Sequence, residues 1–195
     1  DLAPVRNGAG ILAPGSQFFQ EALCKLDNAT PQVFALSKPY ADLRLPQGSF
    51  PITIYGQGFG IPGGTARVYL DVGPGRAPVP LVASSWTDTE ITVNIPNTRA
   101  TRNNLAGAWR LYVQTRAGQK SPSGLMFHIL YGTYAPTVYE VGPGLTGANK
   151  FNASGWDGST AGPGPIQRAI DAAVAAGGQA LVAVYPNTPV DWNPA

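Results

Sequence analysis

The 195-residue chain is short of charge. Asp, Glu, Lys and Arg together make up 12% of it, about half the roughly 25% of an ordinary soluble domain. The nine Arg and four Lys are scattered, with no run of three, and the formal net charge is +2. No electrostatic footprint for nucleic acid or an anionic membrane is present. One cysteine, Cys24, excludes an internal disulfide and any multi-cysteine zinc or iron–sulfur site; it reads as a small buried hydrophobe. One histidine, His128, lies in a strand pattern on the face opposite Leu125, Phe127 and Ile129, with no nucleophile or acid spaced to work with it. No apolar run approaches the roughly 18 residues of a membrane helix; the longest stretch, around 169–176, is interrupted by Asp171. The expectation is no nucleic-acid partner and no membrane span.

What the chain has in excess is 24 Gly and 19 Pro. Glycine loses backbone entropy in a helix and proline removes a donor, so a helical bundle is excluded. Disorder is opposed by 44% apolar residues that include four Trp, eight Tyr and seven Phe. The expected fold class is mainly β.

Three segments follow from the patterning. Residues 1–31 read as an arm with one short helix over 16–26, where Ser16 is the N-cap and Phe19, Leu23 and Leu26 share a face. Residues 32–132 alternate apolar and polar positions between turn signals, with strands expected at 33–36, 50–56, 66–70, 79–82, 90–95, 109–115 and 125–130. Seven short strands in about 100 residues is an immunoglobulin-like count. In the sixth, Trp109, Leu111 and Val113 are expected inward and Arg110, Tyr112 and Gln114 outward. Residues 133–195 hold a strand at 137–141, a Gly-rich loop, a helix over 165–176 and a strand at 180–186. The helix carries Ile166, Ala169, Ile170, Ala173 and Val174 on one stripe between Pro165 and Gly177. The last strand is almost wholly apolar and is expected to be buried on both faces.

Two of these segments resemble known families. The run Ile52-Thr53-Ile54-Tyr55-Gly56-Gln57-Gly58-Phe59-Gly60, the stretch from Val82 through Trp86 and Ile91 to Pro96, and Gly107 through Gly118 before a last aromatic-rich strand together resemble the IPT/TIG family of immunoglobulin-like domains, over residues 32–131. Tyr139 to Gly144, Ile166 to Ala173 and Leu181 to Thr188 resemble the opening of pectate-lyase-like right-handed parallel β-helix proteins of bacteria. That second resemblance implies an N-terminal cap and first coil of a solenoid that is cut short at Ala195. It also implies that any lyase chemistry resides on later coils.

The chemistry-bearing residues are sparse. The carboxylates, eight Asp and three Glu, contain no Asp-x-Asp run, so no cofactor is expected. Asp71, Asp88 with Glu90, and Asp157 sit in loops or strand ends where calcium is the one ion conceivable. Gly142-Pro143-Gly144, 155–158 and 162–164 lack the spacing of phosphate loops. Trp86, Tyr112, Trp156 and Trp192 are the candidates for sugar stacking or partner contact, against the alternative of internal packing. Asn28 and Asn152 begin N-glycosylation tripeptides. The chain begins at Asp1, as a trimmed or leader-cleaved form would. The expectation is a non-catalytic, secreted or cell-surface bacterial module for spacing, adhesion or assembly, meeting a protein or glycan partner or pairing with itself through the strand at 180–186. The alternative is the carbohydrate-binding part of a polysaccharide-degrading β-helix enzyme whose catalytic coils follow residue 195.

Overall fold

The computed structural model describes residues 30–122, 124–152 and 163–186. The helix expected over 16–26, together with Cys24 and Asn28, lies outside them. The protein is mainly β, an immunoglobulin-like sandwich followed by a short α/β unit.

Eight strands build the sandwich: β1 (Gln32–Leu36), β2 (Tyr40–Asp42), β3 (Ser49–Gln57), β4 (Arg67–Asp71), β5 (Val79–Trp86), β6 (Glu90–Pro96), β7 (Gly107–Gln114) and β8 (Leu125–Leu130). Their order is β1-β3-β6-β5-β4-β7-β8-β2. The first four and the β4, β7, β8 group correspond to the two layers of the immunoglobulin arrangement. Strand β5 bonds to both β6 and β4, and β2 runs parallel to β8 at the far edge.

The alternation of the sequence explains the layers. Phe50, Ile52 and Ile54 of β3 face Ile91, Val93 and Ile95 of β6, Val68 and Leu70 of β4, Leu111 and Val113 of β7, and Phe127 and Ile129 of β8, all buried in one cluster. Sequence register on β7 agrees with this: Leu111 and Val113 point inward, Trp109 packs against the core, and Arg110 is exposed. Gly56 has a clear cause. A Cβ there would lie 2.0 Å from the Gln32 carbonyl oxygen and 2.4 Å from the Phe59 ring, so only glycine lets the fully buried Phe59 close this corner.

Two elements of the sandwich have no counterpart in the periodicity. Strand β2 is three residues long, too short for an alternation to show. Helix α1 (Arg99–Leu105) joins β6 to β7 and is capped by the Thr98 hydroxyl, which accepts from the Thr101 amide at 3.2 Å.

The second unit is a three-stranded parallel sheet, β10 (Lys150–Phe151), β9 (Thr137–Val141) and β11 (Ala180–Val184), crossed by helix α2 (Pro165–Ala176). Its helix-facing core is small: Tyr139, Val141, Ala169 and Ala173, flanked by Phe151, Ile166, Ala172 and Val182. Two expectations are corrected here. The stripe on α2 is rotated toward the alanines, which allow close approach to the sheet, and it leaves Ile170 and Val174 40% and 76% exposed. Strand β11 is not buried on both faces. Its Val182 meets the α2 side and its Leu181 and Ala183 meet the sandwich, but Ala183 is its one buried residue, and among the described residues the strand stands at the sheet edge.

Candidate functional site

The residues brought together most tightly lie at the joint between the two units. Strand β9 directs alternate residues to opposite faces. Tyr139 and Val141 meet α2, whereas Val138 and Glu140 turn toward the sandwich. There Tyr40 of β2, Leu130 of β8 and Ala183 of β11 form a buried cluster with Tyr134, Val138 and Leu181 packed on it. An apolar seam therefore joins two sheets that belong to different parts of the chain.

Glu140 is the polar centre of that seam, with its side chain 12% exposed. The Tyr40 hydroxyl donates to Glu140 Oε1 at 2.6 Å, and the Tyr185 hydroxyl, just past β11, donates to the same oxygen. Lys38 Nζ lies 3.8 Å from Oε1 and 4.2 Å from the Tyr40 ring centroid. Lys150 Nζ, on β10, is 3.6 Å from Oε2. One carboxylate thus gathers partners from β2, β10 and the end of β11. Gly142 makes this possible: a Cβ at that position would come within 2.9 Å of the Tyr185 ring.

The electrostatics are those of a lock. Burial pushes the Glu140 carboxyl up, but the two tyrosine hydroxyls and two lysines outweigh it, so it stays below its ordinary range and is ionised at neutral pH. Tyr40 and Tyr185 are pushed well above the usual tyrosine value, first by burial and then by their bonds to Glu140. A general acid–base pair would need values drawn toward neutrality. These shift away from it.

Two further contacts reinforce the seam. His128 Nδ1 lies 2.6 Å from the Tyr134 hydroxyl and their rings stack at 6.1 Å; burial lowers the histidine's affinity for a proton. Arg44 grips Asp42 with two 2.7 Å bonds and reaches the Ala135 carbonyl at 3.4 Å. His128 is the outward strand residue that the alternation implied, and the second unit covers that outward face.

The described ligand and metal candidates singled out from sequence lie elsewhere. Trp86 packs against the sandwich core and its indole N–H donates to the Gly60 carbonyl at 3.2 Å. Part of its surface lines a groove of about 400 Å³ with Pro62, Arg67, Pro80 and Val82. Tyr112 stacks on Tyr69 across β7 and β4 at 5.2 Å, with Lys120 5.4 Å from its ring. Trp156, Asp157 and Trp192 lie outside the described residues. The carboxylates are dispersed. Asp71 Oδ1 accepts from Gly73 N at 3.2 Å within its own turn, and Asp88 Oδ1 accepts from Gly60 N at 2.8 Å, tying the turn before β6 to the corner after β3. Asp88 and the exposed Glu90 share the β5–β6 turn, while Asp71 ends β4. Among the described residues no group of three or more His, Cys, Asp or Glu side chains is placed to hold a metal ion. No helix among them is long and apolar enough to cross a membrane.

Sequence reasoning missed Glu140, Tyr40 and Tyr185. The available signal was Gly142 in the Val-Gly-Pro-Gly run, a glycine placed directly after an alternating strand.

No family model and no curated protein matches the chain. Among solved structures, a protein of unknown function from Bacteroides thetaiotaomicron is similar at 16% identity and a TM-score of 0.40, over 53% of this chain and 22% of that one. The full extracellular region of plexin A4 is similar at 14% identity and a TM-score of 0.32, over 56% of this chain and 12% of that one. The chain thus spans under a quarter of either, and neither likeness carries a functional argument.

Proposed function

We propose that this chain is a non-catalytic structural module of the cell surface or extracellular space, an IPT/TIG-like sandwich fixed rigidly to the first coil of a right-handed parallel β-helix. The observation that carries the reading is the joint. A buried carboxylate bonded by two tyrosines and flanked by two lysines is costly to assemble and has protons that are hard to move, which suits a fixed angle between units better than turnover. A spacer or adhesion module needs that angle to be constant under load.

The test is an assay of the whole chain against a panel of polysaccharides and esters. No turnover is expected; reproducible turnover that disappears in Glu140→Gln would overturn the reading.

A second reading, a carbohydrate-binding part of a polysaccharide-degrading protein, is favoured by one feature. Tyr69 and Tyr112 stand on the outer face of the β4–β7 pair beside the exposed Arg110 and Lys120, a few residues from the Trp86 groove. Binding on a glycan array that is lost in Tyr112→Ala would support it, and silence across the array would remove it.

A further inference from the structure

Strands β4 and β7 lie inside the sandwich sheet, β4 bonded to β5 and β7, and β7 bonded to β4 and β8. Neither offers an open backbone edge, so a ligand on their outer face meets side chains alone. Val68, Leu70, Leu111 and Val113 are buried in the core, which turns the alternate residues outward. The register pairs Arg67 with Gln114, Tyr69 with Tyr112 and Asp71 with Arg110, in three rows roughly 7 Å apart along the strands. Lys120, bridged to Gln114, adds a cation to the first row. Along the strands the face therefore runs from cations through a tyrosine pair to a cation.

The charge on this face is one-sided. Arg67, Arg110 and Lys120 are exposed, and none has a carboxylate partner among the described residues. Asp71 is the one carboxylate in the three rows, and its Oδ1 accepts from the Gly73 amide. Three cations to one carboxylate match the entire formal excess of +2 that the chain carries. The groups are also held in place. Arg67 Nη1 donates to the Gly64 and Ala66 carbonyls at 3.2 and 2.7 Å. The Tyr69 and Tyr112 rings stack on each other at 5.2 Å, and neither hydroxyl has a hydrogen-bond partner among the described residues.

A phenol hydroxyl both donates and accepts, as a sugar hydroxyl does, and guanidinium and ammonium groups bind acid groups most strongly. We infer that the outer face of β4 and β7 binds an acidic polysaccharide. Arg67, Lys120 and Arg110 meet its carboxylates, and Tyr69 and Tyr112 bond its hydroxyls between them. An acidic peptide would find no strand edge to extend and no use for the tyrosine hydroxyls beyond its charge. The inference rests on the carbohydrate-binding reading and deepens it by naming the class of sugar.

Titration calorimetry of the whole chain with alginate, a linear chain of uronic acids, tests it, with neutral dextran and poly-glutamate alongside. Alginate is expected to bind at low salt and to weaken as salt rises, with the other two at least about tenfold weaker. Arg67→Gln and Tyr112→Phe should each weaken alginate about five- to tenfold, the loss of one hydrogen bond, with unchanged melting temperatures. No binding of alginate, poly-glutamate bound as tightly, or an affinity unchanged in both variants would overturn the inference. Dextran bound as tightly as alginate would also overturn it, while leaving the carbohydrate-binding reading in place. Silence toward alginate and across the glycan array would remove both.

Discussion

The sandwich and the parallel unit are both built from apolar strands, yet they differ in how much they can bury. The sandwich gathers nineteen buried residues into one cluster, and the helix-covered face of the parallel sheet gathers four. At roughly 1.5 to 3 kcal/mol for each large apolar side chain buried, the first cluster contributes several times the hydrophobic stabilisation of the second, two of whose four members are alanines. The parallel unit borrows its second face from the sandwich through Tyr40, Leu130 and Ala183. A sheet too narrow to stand alone thus stands against a neighbour, and the Glu140 cluster fixes where it docks.

The comparison breaks most severely if the larger core is damaged. Phe59→Ala empties a fully buried position and should lower stability by about 3–5 kcal/mol. Because the parallel unit depends on the sandwich, both should melt together in calorimetry; a parallel unit that melts at its original temperature would contradict the dependence.

Glu140→Ala is the next largest. It strands two buried tyrosine hydroxyls and removes the partner of two lysines, at a cost of about 1–3 kcal/mol. The loss should fall on β9, β11 and α2 rather than on the sandwich.

Acid and base probe the same joint without mutation. Glu140 titrates below its ordinary value in the fold, so its contribution is complete above 4.5 and is lost as pH falls through the lowered value. His128 is also lowered, and it erodes stability as pH drops below 6.5. Tyr40 and Tyr185 are raised, so their contribution is complete below 10.0 and declines above it. Thermal melts across pH should show a plateau between the histidine and tyrosine limits, with Glu140→Gln flattening the loss of stability below 4.5.

Smaller still is Thr98→Ala, which removes the cap of α1 and should cost about 1 kcal/mol, confined to the β6–β7 end of the sandwich. Val174→Lys, on the exposed face of α2, should change stability by less than about 0.5 kcal/mol. Thermal denaturation measures both.

The sandwich was largely legible in the sequence because its information is local. Ile52 and Ile54, Ile91 and Val93, Leu111 and Val113 alternate within single strands, and the Gly56 to Phe59 corner depends on residues close together in the chain. The helix over 165–176 was legible for the same reason, although the alanines rather than Ile170 and Val174 face the sheet. The joint was not, since Tyr40 and Glu140 are 100 residues apart and nothing near either announces the other. Glu140 looks like an ordinary outward residue of β9 until the outward face acquires a neighbour. The two described aromatic candidates are held separately, Trp86 by Gly60 and Tyr112 by Tyr69, partners that composition does not reveal.

Native-state hydrogen exchange on the whole chain, comparing the native protein with Glu140→Ala, tests the central claim most directly. The account predicts faster exchange in β9, β11 and α2, with protection in β3, β6 and β7 unchanged. Equal acceleration in both units, or none in either, would contradict it.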